Sequence, residues 1–262
     1  KYPSEFMELL CDKERGIKKE HQYIVMKVCS TCRENNKQLF ENIEQRFIDA
    51  RGDFREYHEL IYKHLKPSDQ ERKQNAEIHT PPVLIREMVD KVPSDFWSEP
   101  REVLDPCCGK GGFLVELFHR FDQGLAPTYP SKKQRHRIII EVCLHFWDIS
   151  PLNVFLTQEI LRVMSSGCTN RFNYWIGDSL TREISNKFQL VVGNPPYEAR
   201  SSSGVSKGGG NNLYTKFIYL ANKLLGDNGY MLFITPPSYF SPGRSNNKND
   251  MNIRRDIFDK YY

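Results

Sequence analysis

Val103-Leu104-Asp105-Pro106-Cys107-Cys108-Gly109-Lys110-Gly111-Gly112-Phe113-Leu114 is the stretch on which the reading of the fold turns. A short apolar run ends in Asp-Pro, glycines gather around a lysine, and an apolar helical pattern begins at Gly112. That order predicts a strand, a tight turn and a helix. Glycines let the backbone come close to a bound molecule, and the helix N-terminus beyond the turn favours an anionic group. The spacing matches neither the Gly-x-Gly-x-x-Gly of dinucleotide-binding turns nor the Gly-Lys-Ser/Thr of phosphate loops, which argues against both ligand classes.

Outward from this turn, short apolar runs alternate with helical stretches. Strands are expected at Glu102–Leu104, Arg137–Phe146, Tyr174–Ile176, Leu190–Gly193 and Tyr230–Thr235. Helices are expected at Gly112–Phe121, Pro151–Met164 and Tyr214–Leu225. Such alternation predicts an α/β, doubly wound, mostly parallel sheet. Two segments read as mobile loops: Asp122–Arg137, with its basic run Lys132-Lys133-Gln134-Arg135-His136-Arg137, and the Ser- and Gly-rich Arg200–Asn212. Before about Leu65, apolar residues recur at helical spacing, as in Leu39, Ile43, Phe47 and Ile48, up to the break at Lys66-Pro67-Ser68-Asp69. The chain is therefore divided into a helical N-terminal extension, 1–75, and an α/β domain, 76–262.

The 262 residues are 39% hydrophobic and 27% charged, the composition of an ordinary globular protein. No apolar run reaches the roughly 18 residues of a membrane helix, and no membrane association is expected. The chain begins Lys1-Tyr2-Pro3, without a start methionine or a signal peptide, and is expected to be part of something longer. Seven cysteines, odd in number and irregularly spaced, point to reduced thiols in the cytoplasm. Cys29 and Cys32 form a lone CxxC with no second half-site, so no metal centre is expected. The net charge of +4 is modest. Acidic and basic residues balance as far as Glu77, whereas basic residues outnumber acidic ones after Arg200, which would suit a phosphate backbone or simply a solvated face.

The residues that suggest chemistry sit at strand ends. Asn194-Pro195-Pro196-Tyr197 directly follows the apolar Leu190-Val191-Val192-Gly193. An aromatic amine such as that of adenine is a poor nucleophile because its lone pair is delocalised. Two acceptors aimed at its N–H bonds, the Asn194 side-chain carbonyl and the Pro195 backbone carbonyl, would draw the nitrogen toward tetrahedral geometry. Prolines fix the turn beforehand, and Tyr197 offers a face on which a base can stack. An ordinary Asn-Pro turn is the plainer alternative. Asp148, in Trp147-Asp148-Ile149-Ser150, and Asp178, in Gly177-Asp178-Ser179, end further strands. There a carboxylate can accept ribose hydroxyls or an adenine amine, although each alone is more often a cap or turn residue.

The order Thr80-Pro81-Pro82, Asp105–Leu114, Asp148, Asp178 and Asn194–Tyr197 resembles the amino-methyltransferase family of restriction-modification systems, above all its Taq-type and type I or type IIG adenine methyltransferases. The likeness covers roughly Glu77 to Tyr239, and the family's Asp-Pro-x-Cys-Gly-x-Gly-x-Phe-Leu is met by Asp105, Pro106, Cys108, Gly109, Gly111, Phe113 and Leu114. Ala76 and His79 depart from the family pattern ahead of Thr80. The resemblance implies a Rossmann-like class I methyltransferase domain that uses S-adenosyl-L-methionine and DNA. It places the cofactor's methionine part at Thr80 and the Gly-rich turn, its ribose at Asp148, and its adenine at Ile149 and Asp178. Asn194, Pro195, Pro196 and Tyr197 would receive an adenine flipped out of the duplex and methylate its N6 amine. Arg200 and Lys207 are expected to meet DNA phosphates. The family's C-terminal target-recognition part is expected to be absent from this chain, which either is truncated at Tyr262 or has its sequence recognition elsewhere, and a nuclease or specificity domain or subunit is a possible partner. Two other readings stay open: a methyltransferase acting on protein glutamine or ribosomal-RNA guanine, whose amines have the same geometry, and an inactive DNA-binding scaffold.

Overall fold

In the computed structural model, which describes residues 79–197 and 213–237 together with 45, 58, 59, 62, 253 and 257, five strands form one parallel sheet. The expected helices of the 1–75 extension, Cys29 and Cys32, and the Arg200–Asn212 segment fall outside the described residues, apart from isolated positions of the extension. Helix α1 (Pro82–Val89) leads in, and β1 (Val103–Asp105) is followed by α2 (Gly112–Gly124). Next come α3 (Lys132–Ile138), β2 (Leu144–Asp148), α4 (Pro151–Met164) and β3 (Asn173–Ile176). Then β4 (Phe188–Gly193), α5 (Leu213–Leu224) and β5 (Leu225–Phe233) complete the order. Among the described residues no helix is long and apolar enough to cross a membrane.

The sheet order is β3-β2-β1-β4-β5. Its central strands are largely apolar, with His145 and Gln189 as partly buried polar positions near the starts of β2 and β4, because both faces are covered, as in a parallel sheet. Side chains of alternate parity reach opposite cores. Val103, Phe146, Leu190 and Val192 join the larger core, with α1, α2 and α4, while Leu104, Trp147 and Val191 pack against Phe217, Ala221 and Leu224 of α5. Helix α2 buries nearly its whole circumference, from Phe113 to Phe121, and its one buried carboxylate, Glu116, is met by Arg120 at 2.5 Å. Each of the large apolar side chains so buried is worth about 1.5–3 kcal/mol.

The chain steps from β1 to β2 to β3 in one direction, then crosses to the far side of β1 to lay down β4. The carboxyl ends of β1 and β4 thus flank the point where strand order reverses. That is where open α/β sheets leave a crevice for ligands.

Two expectations are corrected here. The strand expected over Arg137–Phe146 begins only at Leu144, and 139–143 form one wide helical turn continuous with α3. The run Ile138-Ile139-Ile140 suggested a strand by its β-branching, yet Ile139, Ile140 and Cys143 reach the core from one side of that turn. Asp122–Arg137, expected to be a mobile loop, is ordered and largely helical. Ser131 caps α3, and Asp122 accepts from Arg135 at 2.6 Å and lies 3.0 Å from the buried His136 ring. These ion pairs hold Asp122 below the usual carboxylate range, at about 2, against the opposing effect of burial. Within the basic run, Arg135 and His136 are matched by Asp122, thirteen and fourteen residues upstream, a pairing that composition does not reveal.

Between β3 and β4 there is only a short 3-10 turn, Ser179–Thr181, where doubly wound folds usually place a helix. Arg182 takes over the covering role. Its guanidinium lies 4.4 Å from the Trp147 ring and 4.8 Å from the Trp175 ring, and burial lowers its pKa to about 10.

Candidate active site

The carboxyl ends of the strands are tied to one another by backbone. Cys108 N–H donates to the Trp147 carbonyl at 2.9 Å, Gly177 N–H to the Asp148 carbonyl at 3.0 Å, and Ile234 N–H to the Gly193 carbonyl at 3.1 Å. The Ser179 hydroxyl reaches back to the Pro106 carbonyl at 2.6 Å. Asp105, Asp148 and Asp178 stand at or just beyond three of these ends, and Asn194 at a fourth, so these four positions share the carboxyl edge of the sheet.

The Gly-rich turn follows β1. Gly109 and Gly111 have φ of 51° and 82°, in the left-handed region that favours glycine. A Cβ on Gly111 would come within 3.0 Å of the Thr157 hydroxyl oxygen. Thr157, on α4, approaches the Gly109 carbonyl at 3.4 Å and the Cys108 sulfur at 3.8 Å. Cys108 and Phe113 are themselves core side chains, 6% and 4% exposed, so they shape the turn from behind.

Asp148 is nearly buried, and its carboxylate already organises the rim. One oxygen accepts Gly109 N–H at 2.9 Å, and the other accepts Ser150 N–H at 2.8 Å and the Asn153 amide at 3.2 Å. Asn153 in turn accepts from the buried ammonium of Lys110 at 3.1 Å. Sequence reasoning missed Lys110, Asn153 and Thr157. The only local sign was Ser150-Pro151-Leu152-Asn153, a helix start in which Ser150 caps the Asn153 N–H at 3.4 Å. Ile149 beside it is 60% exposed, an unusual position for a large aliphatic side chain. Asp178 is exposed and accepts Leu180 N–H at 3.0 Å, capping the turn that follows.

Asp105 faces the other way. It is 1% exposed and accepts Cys107 N–H at 3.1 Å. Burial pushes its pKa up to about 8, opposed by that N–H and reinforced by the charge of Asp148. The Cys107 thiol is pushed well above its usual value by burial and by the same two carboxyls. A Cβ on Gly193 would lie 3.1 Å from both the Asp105 Oδ1 and the Cys107 Sγ. The end of β4 is therefore pressed against the turn of β1 with room only for a glycine.

Beyond Gly193, Asn194 is half-buried and Pro195 buried. The Asn194 amide nitrogen donates to the Thr80 hydroxyl at 3.2 Å, which joins the segment ahead of α1 to the end of β4. Tyr197 is half-buried with its ring edge-on to Tyr214, centroids 6.3 Å apart, and burial raises its pKa. The Tyr197 carbonyl accepts Leu213 N–H at 3.0 Å, so the chain leaves this corner and returns to it. Arg200 and Lys207, between those two points, lie outside the described residues.

The Eco57I restriction-modification methylase family model matches residues 146–261. The modification methylase CviBIII of Paramecium bursaria Chlorella virus NC1A is 24% identical over 205 residues, covering 72% of this chain and 46% of that protein. The type I restriction-modification methyltransferase subunit of Streptococcus thermophilus superposes with a TM-score of 0.54 at 16% identity, over 79% of this chain and 43% of that one. A Listeria monocytogenes protein described as a class I S-adenosylmethionine-dependent methyltransferase gives 0.51 at 13% identity, over 79% and 58%. The chain spans less than half the length of the CviBIII methylase. It has the fold of the class I S-adenosylmethionine-dependent methyltransferases and, over residues 146–261, is similar in sequence to the Eco57I restriction-modification methylases.

Proposed function

We propose that this chain transfers the methyl group of S-adenosylmethionine to the N6 amine of an adenine in DNA, received in the pocket of Asn194, Pro195, Pro196 and Tyr197. The observation that carries the reading is the placement of Asn194 at the carboxyl end of β4, pressed through Gly193 against the Gly-rich turn of β1. An acceptor for the substrate amine and a turn fit for a cofactor then share one crevice.

The residues present fit the cofactor. Glycines at 109 and 111, in the left-handed region, let the backbone of the turn approach a bound molecule with no side chain in the way, and the Asp148 carboxylate stands at the end of β2. Ile149 offers an exposed apolar face of the kind an adenine ring covers. Asp178, exposed beyond β3, is assigned to the cofactor's adenine amine, and Thr80, beside Asn194, to its methionine part. S-adenosylmethionine, when bound, supplies an electrophilic methyl group on a sulfonium. The chain's own part is to hold and polarise the amine. The Asn194 side-chain carbonyl and the Pro195 backbone carbonyl accept its two N–H bonds, and Tyr197 stacks on the base. The amine proton becomes acidic only as the new bond forms and leaves to solvent, so no strong general base is needed. Arg200 and Lys207 are assigned to the phosphate backbone, residues 1–75 to a helical extension, and a nuclease or specificity domain or subunit is the proposed partner.

Methyl-transfer assays offering DNA, RNA and protein separately test the substrate class, and transfer to RNA or protein alone would overturn it. Asn194→Ala is expected to lower turnover by on the order of 100-fold while leaving cofactor affinity nearly unchanged, as for the loss of one preorganised hydrogen-bonding group. Near-normal turnover in that variant would remove Asn194 from the mechanism.

A further inference from the structure

The geometry points to Thr80 as the positioning residue that decides which end of the Asn194 amide faces the substrate amine, an inference that rests on the methyl-transfer reading above. A carboxamide presents a carbonyl at one end and an NH2 group at the other, and only the carbonyl accepts from an amine. Asn194 Nδ2 donates to Thr80 Oγ1 at 3.2 Å, across 114 residues of sequence. With the NH2 end committed to Thr80, Oδ1 is turned the opposite way. Rotating the amide by half a turn would make the hydroxyl donate its single proton to Oδ1 and would present N–H donors to an amine that itself brings N–H groups.

Both partners are held before any substrate arrives. Thr80 precedes Pro81 and Pro82, whose rings fix φ, and Pro82 is the first residue of α1. The Ile85 N–H closes the first turn on the Pro81 carbonyl at 3.1 Å. Ile85 is buried at the start of α2, where a Cβ on Gly112 would meet its Cδ1 at 3.2 Å. On the other side, the Gly193 carbonyl is fixed by Ile234 N–H, and the Asn194 backbone N–H is directed at the Cys107 sulfur. Thr80 therefore reaches Asn194 from a rigid base.

The hydroxyl also carries a proton of its own. A hydroxyl has one donor and two acceptor positions, so accepting from Asn194 leaves Thr80 O–H to donate. The resemblance places the cofactor's methionine part beside Thr80, and its carboxylate is the acceptor such a donor suits. Donation there would make the oxygen a better acceptor for Asn194. Thr80 then links an occupied cofactor site to a correctly turned Asn194.

The test uses the full-length protein with Thr80→Val, Thr80→Ser and the pair Thr80→Val with Asn194→Ala. Single-turnover methyl transfer is measured at saturating DNA and saturating S-adenosylmethionine, cofactor affinity by calorimetry, and the Asn194 side-chain amide by NMR without substrate. T80V is expected to lose on the order of tenfold in rate even at saturation. T80S is expected to restore most of that loss, which also rules out misfolding as its cause. T80V should add nothing further in the N194A background, the sign of one shared interaction. The Asn194 amide signals should shift in T80V and not in T80S. A T80V deficit that vanishes at saturating cofactor, or amide signals that stay in place, would overturn the inference. A parent protein that methylates no DNA would instead sink the methyl-transfer reading, while the amide signals would still report on the Thr80 contact.

Discussion

Replacing Asp148 by Asn removes one charge and almost no volume, so its effect can be worked from the hydrogen bonds. The carboxylate accepts from Gly109 N–H at 2.9 Å through one oxygen, and from Ser150 N–H at 2.8 Å and Asn153 at 3.2 Å through the other. An amide has one oxygen, so whichever way it turns, its NH2 group faces at least one backbone N–H. A hydrogen bond to a charged group contributes about 1.5–3 kcal/mol, and an unsatisfied buried donor costs about 1–3 kcal/mol. These describe overlapping parts of one loss, and the site is 7% exposed, so water offers little relief. Asp148→Asn should therefore cost about 3 kcal/mol of unfolding free energy in urea titrations, with an unchanged denaturant slope. On the proposed assignment of Asp148 to the cofactor ribose, S-adenosylmethionine affinity should fall as well, by about 1.5–3 kcal/mol in calorimetry, through loss of a charged acceptor and of the Gly109 anchor. Equal stability would refute the assignment of Asp148 as the anchor of the turn, and equal affinity would remove it from the cofactor site.

Gly111→Ala should destabilise the domain by about 2–3 kcal/mol, combining the left-handed backbone at φ 82° with a 3.0 Å approach to a fully buried Thr157. Thermal unfolding checks this: adding Thr157→Ala should recover the contact part but not the backbone part, and an unchanged melting temperature for the single variant would refute it. Asp105 supplies a pH dependence. Burial raises its pKa from 3.8 to about 8, so between those values the folded state keeps a proton that the unfolded state has released. Its contribution to stability therefore falls as pH rises through that window, by up to about 1.4 kcal/mol per pH unit. Asp105→Asn, which keeps an acceptor for Cys107 N–H, should flatten that slope in denaturation series between about pH 5 and pH 8. An unaltered slope would mean that the carboxyl is not held protonated.

What could be read from the chain and what could not divide along the range of the forces. The Val103–Leu114 stretch and the apolar runs around it specified strand, turn and helix from neighbours a few residues apart, and α4 has the bounds its pattern predicts, Pro151–Met164. The parallel, doubly wound class followed from the alternation of short, mostly apolar strands with helical stretches, since strands buried on both faces are near-continuous apolar runs and parallel neighbours need a crossover between them. The failure at Arg137–Cys143 has the same origin. A β-branched run is a local signal, and the turn that it forms is decided by a distant core and by Asp122, which fixes Arg135 and His136.

The site divides in the same way. Residue types at strand ends named Asp105, Asp148, Asp178 and Asn194 as a set, since only the end of a strand exposes such groups to the crevice. The sequence alone determined that these four residues end strands of a doubly wound sheet. It gave no sign that Asp105 turns inward against Gly193 while Asp148 binds the turn of β1, or that Lys110, Asn153 and Thr157 support that turn. Nor did it show that the Thr80 hydroxyl meets the Asn194 amide. Those contacts join residues dozens of positions apart, and only the packing of strands and helices brings such pairs within hydrogen-bond reach.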